Sequence, residues 1–498
     1  MGSGPNGLAA ACALAGRGFR VHVLEAHPER LGGAAASAPS TLPGYVHDVG
    51  AAFFTFGKLS PAFRELDLES HGVRWLHADF ESCHPAPDGS VACIAREPAE
   101  SPAPFGTAAD AGRWSALAAW HRRIEGPLLG SLLGPVPTVR PALGMGPANL
   151  LRLARILTSS PAGLARRLFD SEAARRVLPG LALHVDVGPL DRFGAGLAYV
   201  LGLVATTGGF AVPEGGAGAL SAALVRVLEA RGGTVQLGQR VASITVEGGR
   251  VRAVHTASSD SFEPRLGVLA DTSAPALYLD LLEPEHVPGF VRRRMRRFPQ
   301  GWGTFKVDWA LDGPVPWSVE EARRSAVVHL GDDLEDLVRF TREVRGGALP
   351  GRPYLVIGQQ SLVDPSRAPD GGHTLWAYSR VPAAAPGGWD AQRERFADRV
   401  EERIEEQAPG FRARVLARRV DAPPDLEAAN PNLIGGDLGG GSNAWHRQLI
   451  FRPVFPYFRY RTPVKGLYLC SSYAHPGAGV HGMCGYNAAR LAARDAGA

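Results

Sequence analysis

Gly2-Ser3-Gly4-Pro5-Asn6-Gly7-Leu8-Ala9-Ala10-Ala11-Cys12-Ala13-Leu14-Ala15 opens the chain, and its glycine spacing decides the fold. Gly2-x-Gly4-x-x-Gly7 runs into strong helix formers, which stop at the turn signal Gly16-Arg17-Gly18. Arg20-Val21-His22-Val23-Leu24 then reads as a buried strand ending in Glu25. Gly2 allows a tight turn, Gly4 lets the backbone approach a pyrophosphate, and Gly7 lets helix and strand pack closely. The helix N-terminus that Pro5 and Asn6 begin offers free N–H groups to phosphates. Glu25, 18 residues after Gly7, is placed to accept hydrogen bonds from a ribose hydroxyl. A glycine turn, helix, strand and terminal acid in this order predict a dinucleotide-binding site.

Three further stretches extend that site. Gly32 and Gly33, followed by Ala34, lie seven to nine residues past Glu25, where the backbone can run beside a flavin's ribityl chain. Between 209 and 272 the pattern predicts a turn at Val212–Gly216 and a helix over Ala219–Ala230. Strands are predicted at Thr234–Leu237, Val241–Val246, Val251–His255 and Gly267–Asp271. Near the C-terminus a strand, Gly466–Cys470, leads into Ser471-Ser472-Tyr473-Ala474-His475-Pro476-Gly477-Ala478-Gly479-Val480-His481-Gly482-Met483 and a helix over Tyr486–Arg494. A second helix N-terminus there favours negative charge, which a reduced flavin develops near N1 and O2. The cofactor fold is therefore discontinuous. The segments 1–60, 205–290 and 455–498 make an FAD-binding domain, and 60–205 with 290–455 make a substrate domain.

Composition excludes several classes. With 45% hydrophobic and 20% charged residues, the 498-residue chain has the makings of a packed core. Its net charge of +4 is too slight at this length to argue for nucleic acid. Cys12, Cys83, Cys93, Cys470 and Cys484 form no C-x-x-C pair and are odd in number, so neither a disulfide framework nor a zinc motif is expected. A reducing, cytoplasmic location follows. No apolar stretch reaches the ~20 residues of a membrane span.

These motifs together resemble the phytoene-desaturase-like flavin oxidoreductases, in the branch of the pyridine nucleotide-disulfide oxidoreductase domain-containing protein 2 family. The resemblance rests on Gly2–Gly7 with Glu25 and Gly32-Gly33, Pro213-x-Gly215-Gly216, Val268–Ala274, Asn430-Pro431-Asn432, Gly435-Gly436-Asp437, Arg452-Pro453 and Gly466–Ala489. Its most specific piece is His475-Pro476-Gly477-x-Gly479-Val480-x-Gly482, and it spans the whole chain. It implies an α/β protein: a Rossmann-like FAD-binding domain, discontinuous, with an inserted α+β substrate domain. Further expected FAD contacts are Val241, Ser472, Gly479, Val480 and Met483. Ser471 and Tyr473 stand where the family usually has glycine, and Ser472 where many relatives have Asp. The resemblance also implies an apolar, isoprenoid- or polyene-like substrate oxidised at a C–C or C–N bond. Rival readings are an amine-oxidase-like enzyme and a flavin-stabilised interaction protein without catalysis.

The remaining residues are assigned by exclusion. Strands are predicted at Gly303–Leu311, Tyr354–Gln360 and His373–Tyr378, and helices at Ala148–Leu157, Gly163–Leu168 and Glu394–Gln407. Lys306, in an alternating strand, reads as solvent-facing rather than flavin-facing, and Asp437 as a turn residue. Leu150–Leu183 mixes apolar residues with six arginines, which reads as a solvated helix face ahead of a peripheral membrane contact. His475 and His481 flank the C-terminal glycine loop and are the candidate proton-handling groups, with a backbone-fixing role as the alternative. No second G-x-G-x-x-G follows a predicted strand and opens a helix elsewhere in the interior, so no dedicated nicotinamide site is indicated and electrons are expected to pass to oxygen, a quinone or a further partner. In such a fold a buried strand feeds the glycine turn, so an apolar strand is expected upstream of Gly2.

Overall fold

The computed structural model describes residues 1–96 and 103–497. In chain order the elements that build the site are α1 (Pro5–Ala15), β1 (His22–Leu24), β2 (Phe80–Pro85), β3 (Val91–Ile94), α2 (Ala108–Leu133), α3 (Val139–Gly144), α4 (Pro147–Leu157), α5 (Ala195–Ala205), α6 (Ala217–Ala230), β4 (Thr234–Gln236), β5 (Val268–Ala270), α7 (Gly289–Arg296), β6 (Gly303–Leu311), β7 (Ser325–Leu330), β8 (Leu355–Gly358), β9 (His373–Val381), α8 (Trp389–Glu405), β10 (Val415–Asp421), β11 (Leu467–Leu469) and α9 (Met483–Asp495). The chain is mixed α/β.

Short parallel pairs surround α1. β1 pairs with β4, and β5 with β11. Between the pairs lie Met1 and Gly2. Gly2 N donates to Leu24 O at 2.8 Å, Met1 N to Leu269 O at 2.9 Å, and Asp271 N to Met1 O at 2.9 Å. Met1 and Gly2 thus link the two pairs into the order β4-β1-Met1-β5-β11. An antiparallel meander, Val241–Glu247, Arg250–Thr256 and Ser261–Phe262, sits alongside.

α1 is buried nearly all round, because α6, α9 and the strands enclose it. That explains its alanines: a larger side chain has nowhere to go. Closest is the crossing with α9, where a Cβ on Gly485 would sit 1.7 Å from Asn6 O.

A seven-stranded mixed sheet, ordered β10-β6-β9-β8-β7-β2-β3, holds the other strands. All its pairs are antiparallel except β7 with β2. Its two faces differ. Phe305, Val307, Trp309 and Leu311 of β6 join Phe396, Val400 and Ile404 of α8 in one apolar core. Burying a side chain of that size contributes about 1.5–3 kcal/mol. Thr304, Lys306 and Asp308 occupy the opposite face, in register with Arg380, Tyr378 and Trp376 of β9. Every residue of β6 is buried. Lys306 is therefore not solvent-facing as its strand pattern suggested. His47 lies 3.7 Å from Asp308 on this face, and Trp376 and Tyr378 pack against the apolar core to which α2 and α5 contribute.

Candidate active site

The glycine turn is tied to Glu25 directly. Ser3 N and Ser3 Oγ donate to Glu25 Oε2 at 2.8 and 2.5 Å, and His27 N donates to Oε1 at 2.8 Å. Three donors hold the carboxylate still, with lone pairs to spare for hydroxyls. Gln239 N donates to Glu25 O at 2.7 Å, which sets Val241 two residues from the same strand end. Gly32 N donates to Ser3 O at 3.2 Å, and Ala51 N to Ala34 O at 3.0 Å. Gly32 has φ +95°, and a Cβ there would strike Ala35 O at 2.5 Å, so the position needs glycine.

The cradle formed in this way fits a dinucleotide. Gly4 caps α1 without any side-chain hydrogen bond; in the first turn Gly7 N is taken by Asp271, and the N–H of Asn6 is left for an anion. Gly33 faces Gly4: a Cβ on Gly33 would lie 3.6 Å from Gly4 Cα. Gly2, Gly4, Pro5, Gly7, Gly33, Ala34, Ser472 and Val480 are only half-buried, and Asn6 Oδ1 is buried without a partner. A polar backbone groove with open surface is what a bound pyrophosphate and ribityl chain require.

Asp271 completes this corner and was not singled out from the sequence. It ends β5, and its Oδ2 accepts from Gly7 N at 2.9 Å. A Cβ on Gly4 would meet the same oxygen at 2.6 Å, so Gly4 also makes room for Asp271. Burial lifts its pKa from 3.8 to about 6, against the pull of the Gly7 N–H and the chain's first amino group. Asn432 bridges from the far side: Oδ1 accepts from Ser273 N at 2.6 Å, and Asn432 O accepts from Tyr473 Oη at 2.8 Å.

The C-terminal loop packs onto α1. A Cβ on Gly482 would lie 2.9 Å from Ala9 Cβ, and Gly479 sits against Phe56 and His481. His481 Nδ1 accepts from Met483 N at 3.0 Å, so the ring caps α9 and carries its proton on Nε2. That Nε2 is buried without a well-aligned partner. His475 Nε2 donates to Gly134 O at 3.0 Å, anchoring the loop to the end of α2. Burial lowers both pKa values to about 4, so both rings are neutral at pH 7. Buried Arg452 gives its Nη2 to Gly439 O, Gly440 O and Ser472 O, holding the segment after Asp437 against Ser472. Asp437 itself accepts from Gly301 N, Gly439 N and Gly441 N.

The polar sheet face meets the cradle through Phe53. This ring lies edge-on to Trp376, with centroids 5.7 Å apart, two residues along the chain from the Ala51–Ala34 hydrogen bond. Beyond Trp376, Tyr378 Oη is 3.1 Å from His184 Nδ1, and His184 Nε2 is 2.7 Å from His329 Nε2. His84 stacks on His329 with centroids 4.4 Å apart. Burial lowers the pKa of all three histidines, and neighbouring Arg380 adds to this at His184. Lys306 Nζ pairs with Asp308, which lies 3.7 Å from His47. Asp48, from a stretch with no signal in the sequence, accepts from Ala217 N at the start of α6 and from Arg367. Alternation in β6 and β9 could have exposed Lys306, Trp376 and Tyr378. Nothing local marks His184 or His329, which tertiary packing alone brings together.

Comparison with known proteins matches this arrangement. Residues 6–496 match the family "flavin containing amine oxidoreductase". The chain is 29% identical to the pyridine nucleotide-disulfide oxidoreductase domain-containing protein 2 of Rattus norvegicus, over 99% of this chain and 93% of that one. It is 26% identical to a lycopene-forming phytoene desaturase of Pseudescherichia vulneris, over 54% of this chain and 53% of the other. An oxidoreductase from Methanosarcina mazei shares the fold with a TM-score of 0.66 at 16% identity, covering 98% of each chain. The chain belongs to the flavin-containing amine oxidoreductases and is an FAD-dependent oxidoreductase of the phytoene-desaturase-like kind.

Proposed function

We propose that this enzyme removes a hydride from a C–C or C–N bond of a largely apolar substrate held between the glycine cradle and the polar sheet face. Its FAD would lie in a Rossmann-like domain built from 1–60, 205–290 and 455–498, with the other segments forming a substrate domain. The N-terminus of α1 would take the pyrophosphate, Glu25 the ribose, and Gly32–Ala34 the ribityl chain. Val241, Ser472, Gly479, Val480 and Met483 would complete the contacts. FAD supplies the two-electron acceptor when bound; the protein's own part is to orient the substrate, exclude water and hold protons. The observation that carries this reading is that Phe53, His184 and Tyr378 keep open surface although protein surrounds both ionisable groups. We infer that these side chains wall an internal chamber. His481, neutral and carrying its proton on Nε2 in the loop before α9, is the candidate hydrogen-bond donor; His475 is occupied in anchoring the loop. Isoprenoid or polyene chemistry is supported by the phytoene desaturase relative.

A second reading has its own support. Phe53, Trp376 and Tyr378 form a run of aromatic rings, which suits an amine that arrives as its ammonium cation. Anaerobic titration of the yellow protein separates the two. Bleaching of the visible flavin absorbance by polyenes or isoprenoids supports the first, and bleaching by amines the second. A flavin that dithionite bleaches and oxygen restores, but that neither panel reduces, would remove both. Oxygen and a quinone are the candidate acceptors, told apart by which reoxidises the bleached protein faster.

A further inference from the structure

Most of the large apolar side chains exposed among the described residues lie in two stretches, 139–193 and 445–455. Leu143 is 66% exposed, Phe455 58% and Trp445 56%. Direct contacts join the stretches into one surface. Ala195 N donates to Ser159 O, and a Cβ on Gly196 would touch Leu157, which places the end of α4 beside the start of α5. Phe193 packs at a tilt against Trp445, with centroids 4.8 Å apart. Arg459 Nε donates to Val136 O at 3.1 Å, bringing the second stretch back to the start of α3. Phe290 of α7 stacks on Tyr457, centroids 6.5 Å apart, so α7 borders the same surface.

The charge on this surface has one dominant sign. No Asp or Glu occurs between 126 and 169 or between 438 and 494, in a chain with 49 acids. Arg140, Arg155, Arg166 and Arg167 lie in the first of these stretches, and Arg447 and Arg459 in the second. Arg292, Arg293, Arg294, Arg296 and Arg297 crowd α7 and its end, and Arg294 feels Arg447. Among the described residues none of these arginines pairs with a carboxylate. Asp191, between the exposed Leu190 and Phe193, is held by Arg345. Exposed apolar groups rimmed by unpaired cations match the interface of an anionic bilayer, where the apolar groups enter the acyl boundary and the arginines meet headgroups. No helix among the described residues is long and apolar enough to cross a membrane, so the contact would be peripheral.

We propose that this face docks the enzyme on an anionic lipid bilayer; the inference rests on neither the flavin site nor the substrate. The test is sedimentation of the flavin-loaded full chain with phosphatidylcholine vesicles, with and without phosphatidylglycerol. Binding is expected only to the anionic vesicles and should weaken as salt is raised. Arg293→Gln/Arg296→Gln/Arg297→Gln should lower partitioning roughly a hundredfold, about fivefold for each charge. Leu143→Ser/Phe451→Ser/Phe455→Ser should also weaken binding while leaving its salt dependence in place. Flavin content and melting temperature should be unchanged in both variants, since the side chains are exposed. The proposal is overturned if the wild type fails to sediment with anionic vesicles, if both vesicle types bind alike, or if the arginine variant binds like the wild type. Light scattering that finds a dimer abolished by the serine variant, without vesicle binding, would assign the face to a second copy of the chain instead.

Discussion

At the scale of single residues, two carboxylates govern the cofactor corner in opposite ways. Glu25 is held by three donors and is an ordered acceptor. Replacing it with Ala should weaken FAD binding roughly 10- to 150-fold, the worth of a charged hydrogen bond. Glu25→Gln, which keeps an acceptor, should lose less. Fluorescence titration of FAD into apoprotein checks both, and unchanged retention in Glu25→Ala would remove the ribose assignment. Asp271 sits with its charge buried at the start of α1. Its pKa rises from 3.8 unfolded to about 6 folded, so the folded chain binds that proton more tightly. The resulting stability is fully present below about pH 4 and is lost as pH rises through about 6, a term of about 3 kcal/mol. Asp271→Asn keeps an acceptor for Gly7 N without the charge. It should match the wild type near pH 4 and be more stable by up to about 3 kcal/mol at pH 7. Urea unfolding across that range measures the difference; a gap that does not change with pH would remove the argument.

At the scale of elements, helix composition answers to packing as much as to propensity. Gly485 lies inside α9, where Ala would ordinarily gain about 1 kcal/mol. Its Cβ would sit 1.7 Å from Asn6 O, so Gly485→Ala should instead destabilise by about 1–3 kcal/mol and loosen the flavin. Gly112, exposed in α2 with nothing within 4 Å, is the control: Gly112→Ala should stabilise by about 1 kcal/mol. Thermal unfolding of the two variants gives opposite signs if packing decides. On β6, Lys306 neutralises a buried carboxylate. Lys306→Met should cost about 3–5 kcal/mol by leaving Asp308 uncompensated. Lys306→Met/Asp308→Leu should recover much of that loss in denaturant unfolding. If the double variant is no more stable than the single, the cost lies in shape and not in charge.

At the scale of the whole molecule, the cradle draws on three distant parts of the chain: α1 and Glu25, β5 with Asp271, and the loop before α9. A ligand that spans them binds only the folded arrangement. FAD at about a hundred times its Kd should therefore add about 2.7 kcal/mol of stability and raise the melting temperature by several degrees. Scanning calorimetry of stripped and reloaded protein checks this, and coincident melting curves would mean that the flavin does not bridge these segments.

What the sequence determined by itself was local and periodic. The glycine turn, α1, the run from Ala217 to Ala270 and the strand–loop–helix at the C-terminus were legible because turns, caps and apolar alternation are written in neighbouring residues. Gly303–Leu311 was read with its observed ends. Only the tertiary structure decided what faces what. Lys306 alternates with apolar residues as a surface strand would, but the folded chain buries that face of β6 and sets Asp308 and His47 on it. His184, His329 and His84 come from three separated segments, and Asp48 meets Arg367 across more than three hundred residues. No pattern in the sequence carries such pairings, because a buried polar group is defined by the partners that fold around it, and those partners are distant in the chain.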